Sequence, residues 1–144
     1  MARRAEVGVG TVVLDAQGVV EAAQGGSIVR RHLEQANGRG MRVIVSAITL
    51  AEVLRGRPTD VSIHRILAKI VQIPVTPERA RRAGELLGAA RLDGHTHAID
   101  AVVAATTLEQ ERPVVLLTSD PEDMKRLTEQ PEVDQRDRIA IFQV

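Results

Sequence analysis

The 144-residue sequence contains no cysteine, no tryptophan, no tyrosine and a single phenylalanine. Without cysteine, disulfide scaffolds, thiolate zinc sites and cysteine nucleophiles are excluded, and the composition suits a reducing compartment. With Phe142 as the only aromatic ring there is no stacking platform of the kind single-strand binders use, so any nucleic acid must be held by its backbone. Formal net charge is zero, so the overall basic excess of many nucleic-acid binders is missing. Long hydrophobic runs are missing too. The start, MARRAEVGVGTVVLD, has a short apolar run broken by glycine and ending at Asp15, unlike a signal peptide or a membrane span. The expectation is a cytoplasmic protein with no membrane partner.

What is present is a globular composition without low-complexity segments or repeats, at a length that suits one domain over residues 1–144. VGVGTVVLD (7–15) reads as a first strand, AQG as a turn, and a helix follows from about residue 25 to 37. MRVIVS (41–46) is a second strand, and ITLAEVLRG reads as a helix with Ser46 or Thr49 as cap and Gly56 as stop. Ile63, Ile66, Leu67, Ile70 and Val71 make a helical stripe, and IPV (73–75) a short third strand. A helix opens at Thr76 and Pro77, buries Ala80, Ala83, Leu87 and Ala90, and ends at Gly94. Another, apolar almost all round, carries Asp100. PVVLLTSD (113–120) has the apolar run of a strand covered on both faces, PEDMKRLT starts a helix, and RIAIFQV (138–144) is a last strand. This alternation predicts an α/β sandwich around a mainly parallel sheet, with ligands collecting beyond the carboxyl ends of its strands.

Acids stand where acids are awkward: Asp15 and Asp120 end strands, Glu52 lies inside ITLAEVL, and Asp100 interrupts an apolar helix. Asp123 follows one turn after Asp120. Each has a plain structural reading: Asp120 and Asp100 as helix caps, Asp15 in a turn, Glu52 facing solvent. Together they are harder to dismiss. Two carboxylates about 4 Å apart repel by about 4 kcal/mol at an effective dielectric of 20, so a cluster needs a cation or raised pKa values. No lysine is placed to neutralise it, and an oxygen-only set suits Mg²⁺ or Mn²⁺. Such an ion activates water and offsets charge on a phosphodiester, so the chemistry indicated is phosphodiester hydrolysis.

In their order and spacing VVLDAQGVV, VSAITLAEVL, HAIDAVVAATTL and LLTSDPEDMKRL resemble the PIN domain family, in particular the VapC-type toxin nucleases, over nearly the whole chain. The resemblance implies a three-layer α/β/α sandwich and a metal-dependent ribonuclease cutting single-stranded RNA. It also implies a homodimer and a small antitoxin partner whose arginine-bearing tail enters the acidic pocket. Asp15, Glu52, Asp100 and Asp120 match the catalytic acids of the family, with Asp15, Asp100, Asp120 and Asp123 the expected metal ligands. Thr118 or Ser119 matches the small hydroxyl beside them. PIN domains usually carry Ser, Thr or Asn after the first acid, where this chain has Ala16 and Gln17.

His95 and His97, two apart on a helix, do not share a face, which argues against a zinc site. His97 and Asp100 do, so His97 is a candidate to orient a substrate phosphate or a water, against the plain reading of a cap-region histidine. Arg55 and Arg57, just after the Glu52 helix, are placed to contact phosphate. Arg79, Arg81, Arg82 and Arg91 either track RNA, bind an acidic partner or are simply solvated. The leading expectation is thus a Mg²⁺- or Mn²⁺-dependent endoribonuclease. The alternative is a non-catalytic PIN-like module that binds RNA or protein. A receiver-like phosphoacceptor role for Asp15 is disfavoured, because Gln17 stands where a second acid belongs and no lysine ends the VVLLTSD strand.

Overall fold

Residues 9–144 are described by the structure, a computed structural model; the first two residues expected in strand one, 7 and 8, lie outside them. Five strands, β1 (Thr11–Leu14), β2 (Arg42–Ser46), β3 (Val71–Ile73), β4 (Val114–Thr118) and β5 (Ala140–Gln143), form one sheet in the order β3-β2-β1-β4-β5. Every neighbouring pair is parallel, and β1 pairs with both β2 and β4 through all four of its residues.

Parallel strands buried on both faces alternate their side chains between two cores rather than between core and solvent. Val13, Ile44, Val114 and Leu116 join Ala83 and Leu86 of α5 (Pro77–Ala90), four residues of α6 (Gly94–Leu108), and Met124 and Leu127 of α7 (Pro121–Leu127). On the opposite face Val12, Leu14, Val45 and Leu117 meet Val19 of α1 (Ala16–Gln24), Val29 and Ala36 of α2 (Ser27–Gly38), and Leu67 of α4 (Val61–Leu67). The last helix, α3 (Ala47–Val53), touches both cores, with Ile48 against the first and Val53 in the second. The result is the expected three-layer α/β/α sandwich, PIN-like in architecture. No helix among the described residues is long and apolar enough to cross a membrane.

The chain steps from β1 outward to β2 and β3, then returns to the other side of β1 to lay down β4 and β5. The order therefore reverses between β1 and β4, and the cleft of such a sheet opens at the carboxyl ends of those two strands. Asp15 follows β1 directly, and Asp120 stands two residues beyond the end of β4.

Several local expectations are corrected. AQG is not a turn: α1 begins at Ala16, because Asp15 in extended conformation accepts a hydrogen bond from the Ala16 N–H and caps it. Ser46, not Thr49, caps α3 through the Ile48 N–H. The stripe at 63–71 splits, since α4 ends at Leu67 and Val71 begins β3, two residues before the expected strand. Pairing with β2, a tertiary constraint, decides where β3 starts. α5 stops at Ala90 rather than Gly94, with Arg91 left-handed at φ 55°, and it buries Ala83 and Leu86 while Ala80 stays exposed.

Gly10, just before β1, has φ 92°, and a Cβ there would lie 2.7 Å from the backbone oxygen of Pro113. Gly40 is also left-handed, at φ 68°, but faces open space. Gly10→Ala is expected to lower stability by roughly 1–3 kcal/mol and Gly40→Ala by less, checked by urea titration of both variants.

Candidate active site

The site begins with Asp15. Its backbone N–H donates to the Leu117 carbonyl at 3.0 Å, which ties the end of β1 to β4. One side-chain oxygen accepts from the Ala16 N–H at 2.8 Å, and the other accepts from the Thr118 hydroxyl at 2.8 Å. The same hydroxyl accepts from the Asp120 N–H at 3.1 Å. Thr118, fully buried, is therefore the hydroxyl that joins the two strand ends; Ser119 is exposed and lines an adjoining cavity instead.

Asp120 occupies the N-cap position of α7, yet its side chain caps nothing. Asp100 does not cap a helix either. It lies within α6, whose cap is Asp93, accepting from the N–H groups of His95 and Thr96. Glu52, on α3, is half-buried rather than solvent-facing, and its Oε1 is buried with no hydrogen-bond partner among the described residues. The plain structural readings of these three acids are thereby removed, and Asp15 caps α1 rather than serving a turn.

Their electrostatics show that they converge. Burial raises the Glu52 carboxyl to about 7, helped by the charges of Asp15, Asp100 and Asp120 and opposed by Arg55. Burial likewise raises Asp100 to about 6, with Asp15, Asp120 and Asp123 adding to it and His97 opposing. Asp15 is raised by burial and by Asp120, against the hydrogen bonds from Thr118 and Ala16 that favour its charged form. The expected acids thus stand within electrostatic reach of one another, on four different elements. Asp123 is tied to His97, with Nε2 3.6 Å from Oδ2, while His97 Nδ1 is buried without a partner. His97 is therefore placed beside the acids, but through Asp123.

Whether these residues suit a divalent cation depends on donor chemistry and on spacing. The donors are carboxylate oxygens, they repel one another, and one buried carboxylate oxygen is orphaned, all of which suits a hard cation. Among the described residues no three acidic or histidine groups stand close enough to grip an ion as they are. Cation binding would therefore require these side chains to draw closer together than they stand here. Beside them a cavity of about 340 Å³ is lined by Ser119, Asp120, Pro121, Glu122, Asp123 and Gln143.

The arginines divide. Arg55 Nη1 donates to the carbonyls of Ala51 and Leu54, which holds its charge at the end of the Glu52 helix. Arg57 makes no side-chain hydrogen bond among the described residues. Arg79 is consumed by Glu109 at 2.6 Å and the Pro74 carbonyl, and Arg82 pairs with Glu85, whereas Arg81 and Arg91 make no such contacts among the described residues. Phe142 packs on His32 of α2, ring centroids 5.0 Å apart, and is not among the acids. Sequence reasoning missed Asp60 and Gln143, which carry no motif.

Raised carboxyl pKa values favour the folded state below their ordinary range of about 4, and that advantage is lost as pH rises through about 6 and 7 for Asp100 and Glu52. Melting of the metal-free protein from pH 5 to 8 is expected to show Glu52→Gln and Asp100→Asn gaining stability over wild type toward pH 8. Equal melting temperatures for wild type and both variants at pH 8 would contradict the raised values.

No family model and no curated protein matches the chain. Solved structures do. A chain of the crystal structure of VapBC2 from Rickettsia felis bound to a promoter DNA fragment is 18% identical, with TM-score 0.64 over 92% of this chain and 98% of that one. A chain of FitAB bound to a DNA fragment is 21% identical, with TM-score 0.60 over 92% and 94%. A chain of DNA-bound VapBC from Salmonella typhimurium is 16% identical, with TM-score 0.55 over 92% and 97%. What this chain shares with them is the fold, a PIN-type α/β/α sandwich built on an all-parallel sheet.

Proposed function

We propose that the protein is a Mg²⁺- or Mn²⁺-dependent endoribonuclease that hydrolyses single-stranded RNA, and that it is the toxin of a type II toxin–antitoxin pair. What supports the chemistry is that Asp15, just past the end of β1, and Asp120, shortly past the end of β4, both act electrostatically on Glu52 and Asp100, with no lysine among the charges that act on them. Asp15, Asp100, Asp120 and Asp123 would hold the ion, which when bound lowers the pKa of attacking water and offsets charge on the phosphodiester. Glu52, whose carboxyl is raised to about 7 in the metal-free protein, lies within electrostatic reach of Asp15, Asp100 and Asp120. Thr118 keeps Asp15 and the turn at Asp120 in register, and Arg55 offers a phosphate contact. With no aromatic ring beside the acids, RNA is held by its backbone.

The fold shared with the VapBC and FitAB structures supports an antitoxin partner, and with the motif resemblance it supports a cytoplasmic homodimer. A non-catalytic RNA- or protein-binding role is the second reading. It is favoured by Ala16 after the first acid and by the spread of the carboxylates.

Purified protein is expected to cleave total RNA with Mg²⁺ or Mn²⁺ and to stop with EDTA. Asp100→Asn is expected to lower the rate by about 100-fold or more while remaining folded by circular dichroism. Absence of cleavage with every divalent ion, together with RNA affinity indifferent to metal, would favour the second reading.

A further inference from the structure

After α3 the chain turns sharply, with Gly56 left-handed at φ 72°, before a 3₁₀ turn at Pro58–Asp60. Asp60 is 6% exposed, and its Oδ2 accepts from three successive backbone N–H groups: Arg55 at 2.8 Å, Gly56 at 2.8 Å and Arg57 at 3.3 Å. One buried carboxylate oxygen thus fixes the path of the whole turn. Arg55 leaves that turn with its Nη1 held by two carbonyls of the α3 C-terminus, Ala51 and Leu54, both at 2.8 Å. A helix C-terminus is where a cation is favoured. The Nε and Nη2 edge of the guanidinium donates to no group among the described residues, and the charge sits close enough to Glu52 to act on it. A half-tethered guanidinium on the rim of an acid cleft, with one edge bound and one free, is preorganised to take a phosphate oxygen without first losing its rotamer freedom.

We propose that Asp60 is a positioning residue, which fixes the turn at residues 54–58 so that Arg55, rather than Arg57, anchors an RNA phosphate beside Glu52. The inference deepens the ribonuclease reading and rests on it for the identity of the anion. Binding without chemistry separates the two. The affinity of a fluorescent single-stranded RNA is measured in EDTA for wild type, Asp60→Ala, Asp60→Asn, Arg55→Ala and the double variant Asp60→Ala/Arg55→Ala. Each protein is first checked as folded by its thermal melt.

Asp60→Ala and Arg55→Ala are each expected to weaken binding about threefold to tenfold, and the double variant no more than Arg55→Ala alone. Asp60→Asn, whose amide oxygen still accepts, is expected to restore most of the affinity. In cleavage assays Asp60→Ala and Arg55→Ala are each expected to raise KM with kcat within about twofold, and Asp60→Asn to keep KM near that of wild type. Unchanged affinity in Asp60→Ala, losses that multiply in the double variant, or no RNA binding by wild type would each overturn the proposal. If wild type cleaves RNA while Asp60→Ala binds normally, only the positioning role falls. If the affinities follow the expected pattern and wild type never cleaves, only the nuclease reading falls.

Discussion

The hydrogen bond from the Thr118 hydroxyl to Asp15 joins the two middle strands of this sheet at the end where the chain reverses its order. Asp15 serves three neighbours: its N–H completes the ladder to Leu117, one oxygen starts α1, and the other receives Thr118. Because Thr118 in turn accepts from the Asp120 N–H, the second acid is held in register with the first. A carboxylate this deeply buried is tolerated because both of its oxygens accept hydrogen bonds.

The cleft is electrostatically strained by design of its elements. Glu52 arrives on α3, which touches both cores, and Asp100 on α6, whose later turns are buried. Neither helix can move its acid away without unpacking a core. Burial and, after it, the charges of neighbouring carboxylates raise both groups, so the metal-free protein holds protons on Glu52 and Asp100 nearer neutrality. A divalent ion would relieve the strain differently, and the two solutions compete for the same oxygens. Two basic side chains stand at the rim, His97 beside Asp123 and Arg55 at the helix end.

Much of the architecture was legible because a strand buried on both faces is apolar at every position, as VVLLT is, and because Thr76, Pro77 and the run after Asp120 mark helix starts. The boundaries were less legible. Asp15 read as a turn acid, and only the geometry that puts its oxygen on the Ala16 N–H shows it to be a helix cap. Val71 suits a helical stripe and a strand equally well, and its pairing with Ile44 settles the matter. Asp60 was invisible, since one aspartate in a loop resembles any other until three amides turn toward it.

The sequence by itself determined which acids lie in apolar surroundings, and hence which charges need an explanation, because hydrophobic pattern is a local property of the chain. It also determined that stacking and thiolate chemistry are excluded. Only the tertiary structure decided that acids from residues 15, 52, 100 and 120 lie within electrostatic reach of one another, which arginine is tethered at the end of the Glu52 helix, and which hydroxyl joins Asp15 to the turn at Asp120. The contact of Thr118 with Asp15 alone joins groups 103 residues apart, and such relations exist only once the crossover from β3 to β4 has returned the chain to the centre of the sheet.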